Sequence, residues 1–252
     1  MSVDVLGSTF RLEVSTEAGL AQLQETWGRS LRHLDDDSLV SLQVGGQSAI
    51  LPMPLQQRLT FDMTQIAMAK LAGRAVMLHA GAVSRADGQI LALVTESGGG
   101  KTTAVIEFAR NGWGYVTDET LAVVDGAVLP FPKPLSLVMH PSAPDAKMLV
   151  SAEALGLGEC PETLSMGHLV LLNRDPAASL PELTPLQPVE AAWRLIPHSS
   201  HLWISMLHYK LWPVSPRRSR AAGPSPIATF GPARISSRRP PICHHAISLR
   251  CP

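Results

Sequence analysis

The chain of 252 residues has no formal net charge, with 45% hydrophobic and 17% charged residues. This balance excludes a largely disordered chain and suits one ordinary domain with appendages. The neutrality hides an asymmetry, because residues 1–210 hold 14 basic and 21 acidic side chains, whereas residues 211–252 hold seven Arg and no acid. The acidic body argues against nucleic acid as a partner.

The cysteine content and the N-terminus bear on the compartment. Only Cys160 of the three cysteines lies in the acidic body, which predicts no disulfide framework and suits a reducing cytoplasm. Residues 1–14 lack the basic start and the apolar core of a signal peptide. No run of 18 apolar residues is present, so we expect a cytoplasmic protein with no membrane partner.

Residues 1–73 are predicted to form a small α+β N-terminal segment. Apolar residues from Leu20 to Leu34 recur at spacings of three and four, which indicates one amphipathic helix. Two short strands are expected at 39–44 and 48–51. A second helix is predicted over 56–71 from its apolar spacing.

Residues 74–204 are predicted to form the main domain. Two apolar strands, 75–83 and 90–94, form a hairpin that leads into a glycine-rich loop. A helix is predicted over 104–110, and a short strand over 115–117 follows it.

The second half of this domain is less regular in sequence. A hairpin is expected from 121 to 129, and a helix is expected over 152–157. The apolar run 168–172 predicts a strand, and a proline-bearing loop over 173–188 precedes a helix over 189–196.

The loop from Thr95 to Thr103 fits the Walker A (P-loop) pattern G-x-x-x-x-G-K-[ST], except that Thr95 replaces the first Gly. Its glycines let backbone N–H groups point at phosphate oxygens, Lys101 supplies a positive charge, and the Thr102 hydroxyl can bind Mg²⁺. We therefore predict that ATP phosphates are held by Ser97, Gly98, Gly99, Gly100, Lys101, Thr102 and Thr103.

Two adjacent carboxylates, Asp118 and Glu119, follow a short strand and begin 17 residues after Lys101. A carboxylate at a strand end beside a phosphate loop is the usual second ligand of Mg²⁺, so Thr102 and Asp118 are the predicted metal ligands. Glu119 could then take a proton from an attacking hydroxyl or water. The alternative is a solvated acidic pair before a hairpin. His79, taken alone, would be a satisfied core histidine.

Four stretches in a fixed order carry a resemblance to a known family: LHAGAV (78–83), TESGGGKTT (95–103), GWGYVTDE (112–119) and PFPKPLSL (130–137). Together they resemble the HPr kinase/phosphorylase catalytic domain, and more closely the actinobacterial HPr-kinase-like ATP-binding proteins that often accompany peptide-modification clusters. The resemblance is firm over residues 75–140 and looser over 10–200. It implies an α/β fold related to phosphoenolpyruvate carboxykinase, with a mixed sheet and flanking helices.

The resemblance also implies roles for individual residues. Lys101 would hold phosphates, while Thr102 and Asp118 would bind the magnesium ion. Glu119 stands where the family has its catalytic aspartate, and His79 stands where it has its active-site histidine. The implied activity is ATP-dependent phosphotransfer to a hydroxyl or carboxylate of an unknown peptide or small-molecule acceptor. The family's C-terminal substrate-binding helices are not recognisable, so HPr itself is not the expected acceptor.

Several alternatives stay open at the level of sequence. The chain could be a non-catalytic nucleotide-binding accessory or regulatory protein, or a simple ATPase. Related kinases assemble as oligomers, which leaves a homo-oligomer open. Lys133 could touch a phosphate or be a solvated lysine between prolines. Residues 205–252, rich in Pro and Arg, are predicted to be a disordered or frameshifted tail, with a natural basic tail as the rival interpretation.

Overall fold

A computed structural model of the protein describes residues 1–32, 40–44, 49–140, 142–175, 177–200 and 245–251. These residues form a mixed α/β structure with a large mixed sheet and few helices. The helices are α1 (Glu17–Trp27), α2 (Met53–Leu71), α3 (Lys101–Arg110) and α4 (Pro188–Leu195). The strands are β1 (Ser2–Val5), β2 (Ser8–Val14), β3 (Leu31–Arg32), β4 (Val40–Val44), β5 (Val76–Ser84), β6 (Gln89–Val94), β7 (Gly114–Thr117), β8 (Thr120–Val124), β9 (Ala127–Leu129), β10 (Leu135–His140), β11 (Ala143–Val150), β12 (Gly158–Glu159), β13 (Ser165–Arg174), β14 (Glu182–Pro185), β15 (Ser199–Ser200) and β16 (His245–Cys251).

The N-terminal segment is a four-stranded sheet in the order β3-β1-β2-β4, and its core includes residues of α1 and α2. Thr16 caps α1 by accepting a hydrogen bond from the Gly19 N–H at 3.1 Å. Phe10 of β2, Trp27 of α1 and Met63 of α2 are almost fully buried in this core. This agrees with the predicted α+β segment.

The boundaries of this segment differ from the prediction in two places. Helix α1 ends at Trp27 and passes into a 3-10 turn over Gly28–Ser30, so it is shorter than the apolar spacing indicated. The strand expected at 48–51 is absent from its described residues, 49–51, which run into the start of α2.

The main sheet places three parallel strand ends beside one another. Strand β5 pairs antiparallel with both β6 and β7, and β6 pairs parallel with β13. Strands β6, β7 and β13 therefore run in the same direction, and their carboxyl ends meet at one edge of the sheet. Open α/β sheets bind ligands at this edge.

Helix α3 lies unusually close to the sheet. A Cβ atom added to Gly81 of β5 would stand 2.6 Å from Cγ2 of Val105, which is a buried residue of α3. Only glycine permits this approach, and the approach sets the position at which α3 begins. The start of α3 in turn places the preceding loop over the end of β6.

The second half of the domain contains several departures from the predicted elements. Residues 152–157 form turns, not a helix, and the predicted loop 173–188 contains strand β14. The ribbon of β10 and β11 was not predicted. The predicted helix at 104–110 begins three residues earlier, and α4 agrees with the prediction to within one residue.

The predicted disordered or frameshifted tail lies mostly outside the described residues, from 205 to 244. Its last part does not fit the expectation of disorder, because β16 pairs parallel with β13 over seven residues and antiparallel with β14. In the described part of the chain, no helix combines the length and the apolar character needed to cross a membrane.

Candidate functional site

The predicted phosphate loop connects β6 to α3 and has the backbone geometry that its glycines permit. Gly98 and Gly100 have φ values of +81° and +92°, which are strained for any residue with a Cβ atom. A Cβ atom on Gly99 would stand 2.1 Å from Oγ1 of Thr95. The side chain at the first position of the motif, Thr95 in place of Gly, therefore packs under the glycines and leaves no room for a larger residue at 99.

In the part of the chain that the structure describes, no side chain caps the amino end of α3. Gly100 is the N-cap residue and has no side chain to accept from the first turn. The N–H groups at the start of a helix need an outside acceptor, and the helix dipole favours an anion there. Ser97, Gly98, Gly100 and Thr103 are exposed around this end, so a phosphate could reach the start of the helix from solvent.

Lys101 is folded back on the loop that it belongs to. The residue is buried, and its ammonium donates a hydrogen bond to the carbonyl of Thr95 at 2.8 Å. Burial lowers the pKa of Lys101, and the nearby Asp118 and Glu119 carboxylates oppose that effect. The ammonium is thus held within the loop without a direct salt bridge to either carboxylate, available to an anionic ligand.

Asp118 lies at the carboxyl end of β7, directly beside the loop. The Thr102 hydroxyl donates a hydrogen bond to Oδ2 of Asp118 at 3.1 Å, while Oδ1 is buried and has no hydrogen-bond partner. Burial raises the pKa of Asp118 to about 6, although Lys133, the Thr102 hydrogen bond and Lys101 act in the other direction. A buried carboxylate oxygen without a partner is costly, which makes it a natural ligand for a cation.

The pKa of Glu119 is shifted in the opposite direction to that of Asp118. Its carboxylate forms an ion pair with the Lys133 ammonium. Burial opposes ionisation of Glu119, but the charge and the hydrogen bond of Lys133 outweigh it and lower the pKa of the carboxyl group. Its side chain is still 43% exposed, so Glu119 is an ionised carboxylate that reaches solvent.

Lys133 is brought to this position by the proline-rich segment after β9. Phe131 is fully buried and anchors the segment, and the Tyr115 hydroxyl donates to the Lys133 carbonyl at 2.9 Å. Lys133 is only 4% exposed. Of the two interpretations left open by the sequence, the solvated lysine is therefore wrong, because the side chain is buried against the site.

Two histidines complete the surroundings of Lys101. His79 of β5 lies beyond the end of β6, because its neighbour Ala80 already pairs with the last residue of β6. Partial burial and the charge of Lys101 lower the pKa of His79, and the nearby Glu119 opposes them. His198 also has a pKa lowered by burial and by Lys101. Nothing in the sequence around His198 signalled this position, which depends on the pairing of β15 with β5.

The structure thus brings all the predicted site residues to one edge of the sheet. The phosphate loop occupies its centre, with Asp118, Glu119, His79 and Lys133 on the β7 side. Within the described residues, no group of three or more His, Cys, Asp or Glu side chains forms a metal site of its own.

Comparison of the chain with protein-family models and with curated proteins gives no match.

Proposed function

We propose that the chain is an ATP-binding, HPr-kinase-like phosphotransferase with a fold related to phosphoenolpyruvate carboxykinase. It would transfer a phosphoryl group to a hydroxyl or carboxylate of a peptide or small-molecule acceptor. The observation that carries the proposal is the contact between Thr102 and Asp118, in which Oδ1 of Asp118 stays buried without a partner. It joins the phosphate loop to a carboxylate from another strand, as expected of a nucleotide–metal site.

The residues fit both expected groups. The uncapped amino end of α3 and the Lys101 ammonium suit the phosphates of ATP. The Thr102 hydroxyl and the Asp118 carboxylate are oxygen donors, the type that Mg²⁺ prefers, and two protein ligands are typical when phosphates complete the shell. When bound, Mg-ATP would supply the phosphoryl group and a cation that neutralises its charge.

The other side chains of the site, Glu119, Lys133 and His79, would have separate roles in the transfer. Glu119 is ionised and reaches solvent, so it can accept a proton from an acceptor hydroxyl. Lys133 orients this carboxylate through the ion pair. His79 lies beside Lys101 and Glu119 and can donate a hydrogen bond to the transferred phosphoryl group or accept one from it. An acceptor must therefore approach from the side of Glu119.

The first experiment measures the binding of Mg-ATP to the full chain by calorimetry. We expect wild-type protein to bind, and Lys101→Ala to lose at least about tenfold in affinity, since a charged contact to phosphate is removed. Lys70→Ala is the matched control, because Lys70 is a lysine of α2 that contacts Phe10, away from the loop. A folded wild-type protein that does not bind would end the proposal.

The second experiment separates transfer from its alternatives. Mg-ATP labelled on the γ-phosphate is incubated with the protein and with peptides that carry serine hydroxyls or a free C-terminal carboxylate. Label on a serine peptide, lost in Glu119→Gln, is the expected result for a hydroxyl acceptor; label on a carboxylate acceptor, which has no proton to remove, should persist in that variant. Release of phosphate that no acceptor changes would identify an ATPase, and binding without turnover would identify an accessory protein.

A further inference from the structure

An opening lies against residues of the phosphate loop and extends to the end of β13, the strand on the other side of the loop from β7. It is a cleft of about 460 Å³ between residues 94–99, the end of β13 at 171–174, and the side chains of Arg194, His198 and Ser248. Ligand pockets in proteins are roughly 300–1,000 Å³, so the cleft can hold a group of the size of a nucleoside.

The order of the strands decides which part of a nucleotide could enter this cleft. Strand β6, which leads into the phosphate loop, has β5 and then β7 on one side and β13 on the other. Asp118 and Glu119 end β7, whereas the cleft lies at the end of β13. The carboxylates and the cleft therefore flank the loop from opposite sides.

A nucleoside triphosphate lying along the loop has only two orientations. The reacting terminal phosphoryl group must lie beside the metal ligand Asp118 and beside Glu119, because the transfer takes place there. The other end of the molecule then points toward β13. An acceptor cannot use the cleft in its place, since it must approach the terminal phosphoryl group from the side of Glu119.

The lining of the cleft suits a sugar and a base. Leu171 and Leu172 at the end of β13 line the cleft, and both keep part of their apolar surface exposed. The guanidinium groups of Arg174 and Arg194 can stack on a planar base or donate hydrogen bonds to it. The Ser248 hydroxyl adds a small group that can both donate and accept.

We infer that the cleft between the phosphate loop and the end of β13 is the nucleoside subsite, and that Arg194 contacts the nucleoside bound there. The inference rests on the proposed function, because the nucleoside is placed toward β13 on the premise that transfer takes place beside the carboxylates. It assigns a binding role to α4 and β16, which the phosphate-loop motif does not include.

The test compares Mg-ATP with Mg-tripolyphosphate, which has the phosphates but no nucleoside, by calorimetry on the full chain. We expect Arg194→Ala to weaken ATP binding about tenfold and to leave tripolyphosphate binding within about twofold. Arg58→Ala is the matched control. Arg58 forms an exposed i,i+4 ion pair with Asp62 on a helix, as Arg194 does with Glu190, but Arg58 lies outside the cleft. It should change neither affinity.

A second variant tests the space itself. Ser248→Phe adds bulk to the cleft without removing a charge, so it should weaken ATP binding at least about tenfold and spare tripolyphosphate. If the variant does not fold, both ligands are lost, and Arg194→Ala then decides the question.

The outcomes distinguish a failure of the nucleoside subsite from a failure of the proposed function. Loss of both ligands in Lys101→Ala, with ATP affinity unchanged in the two cleft variants, would overturn the nucleoside subsite and leave the phosphate loop in place. An equal loss of ATP and tripolyphosphate in Arg194→Ala would assign that side chain to a phosphate and also overturn the inference. A wild-type protein that binds neither ligand would remove both.

Discussion

Replacement of Asp118 by Asn should stabilise the nucleotide-free protein. Burial raises the pKa of this carboxyl from 3.8 to about 6, so above pH 6 the folded state carries an ionised group that it disfavours. At about 1.4 kcal/mol for each pH unit between the two values, the cost to folding is up to about 3 kcal/mol. Asn keeps an oxygen that can accept from Thr102 and carries no charge, so the pH-dependent cost disappears, while its amide nitrogen takes the place of the unpartnered Oδ1 and offsets part of the gain by an amount that does not vary with pH.

The assay is urea unfolding of wild type and Asp118→Asn at pH 4.5 to 8, with EDTA present to remove metal. Because the folded state binds the proton more tightly, this group stabilises the protein at low pH and loses that effect as the pH rises through about 6. The free energy of unfolding of the variant should therefore increase relative to that of wild type as the pH rises, and this difference should level off above pH 6. Asp62→Asn, at an exposed ion pair of α2, is the control for loss of a charge, and its free energy of unfolding should gain little relative to wild type. A difference in the free energy of unfolding between Asp118→Asn and wild type that stays constant from pH 4.5 to pH 8 would refute the reasoning.

Three other substitutions test the packing around the site. Lys133→Met removes the charge that lowers the pKa of Glu119, so the acid limb of the pH–rate profile for phosphotransfer should move to higher pH; an unmoved limb would contradict the role of the ion pair. Gly99→Ala should reduce Mg-ATP affinity at least about tenfold in calorimetry, because its Cβ atom would stand 2.1 Å from a loop hydroxyl. Gly19→Ala is the matched control, because its Cβ atom would stand 2.8 Å from the Thr16 hydroxyl in the N-terminal segment; it should keep the Mg-ATP affinity, and equal losses would show that the clash within the loop is not the cause. Gly81→Ala should lower the free energy of unfolding by about 1–3 kcal/mol in urea, and an unchanged value would mean that α3 can move away from the sheet.

Sequence reasoning performed best where one short stretch determines its own structure. The apolar strand β6, the glycine loop and α3 follow one another directly, so the motif and its context were visible together. The hairpin of β8 and β9 was predicted for a similar reason, since Asp125-Gly126 is a strong local turn signal and both residues have positive φ values. In these places local preference and tertiary structure agree.

The errors occurred where the deciding contacts are distant in sequence. Residues 152–157 have helical composition but form turns, and there the Leu157 and Gly158 carbonyls accept hydrogen bonds from Arg29, more than 120 residues earlier. No local pattern reveals such a contact. The same holds for Lys133, whose burial depends on Tyr115 and on the anchoring of Phe131. A lysine between prolines looks solvated until these partners are known.

The two adjacent carboxylates show how one dipeptide can serve two chemical tasks. Asp118 and Glu119 form the bend between β7 and β8, and their side chains meet different surroundings. Asp118 turns toward Thr102 and is buried with one oxygen free, which raises its pKa and suits it to a cation that replaces the proton. Glu119 turns toward Lys133 and stays ionised at the edge of solvent, which suits it to receive a proton from an incoming acceptor. Lys133 lowers the pKa of both carboxyl groups, so the two values diverge because burial dominates at Asp118, whereas at Glu119 the hydrogen bond from Lys133 adds to its charge.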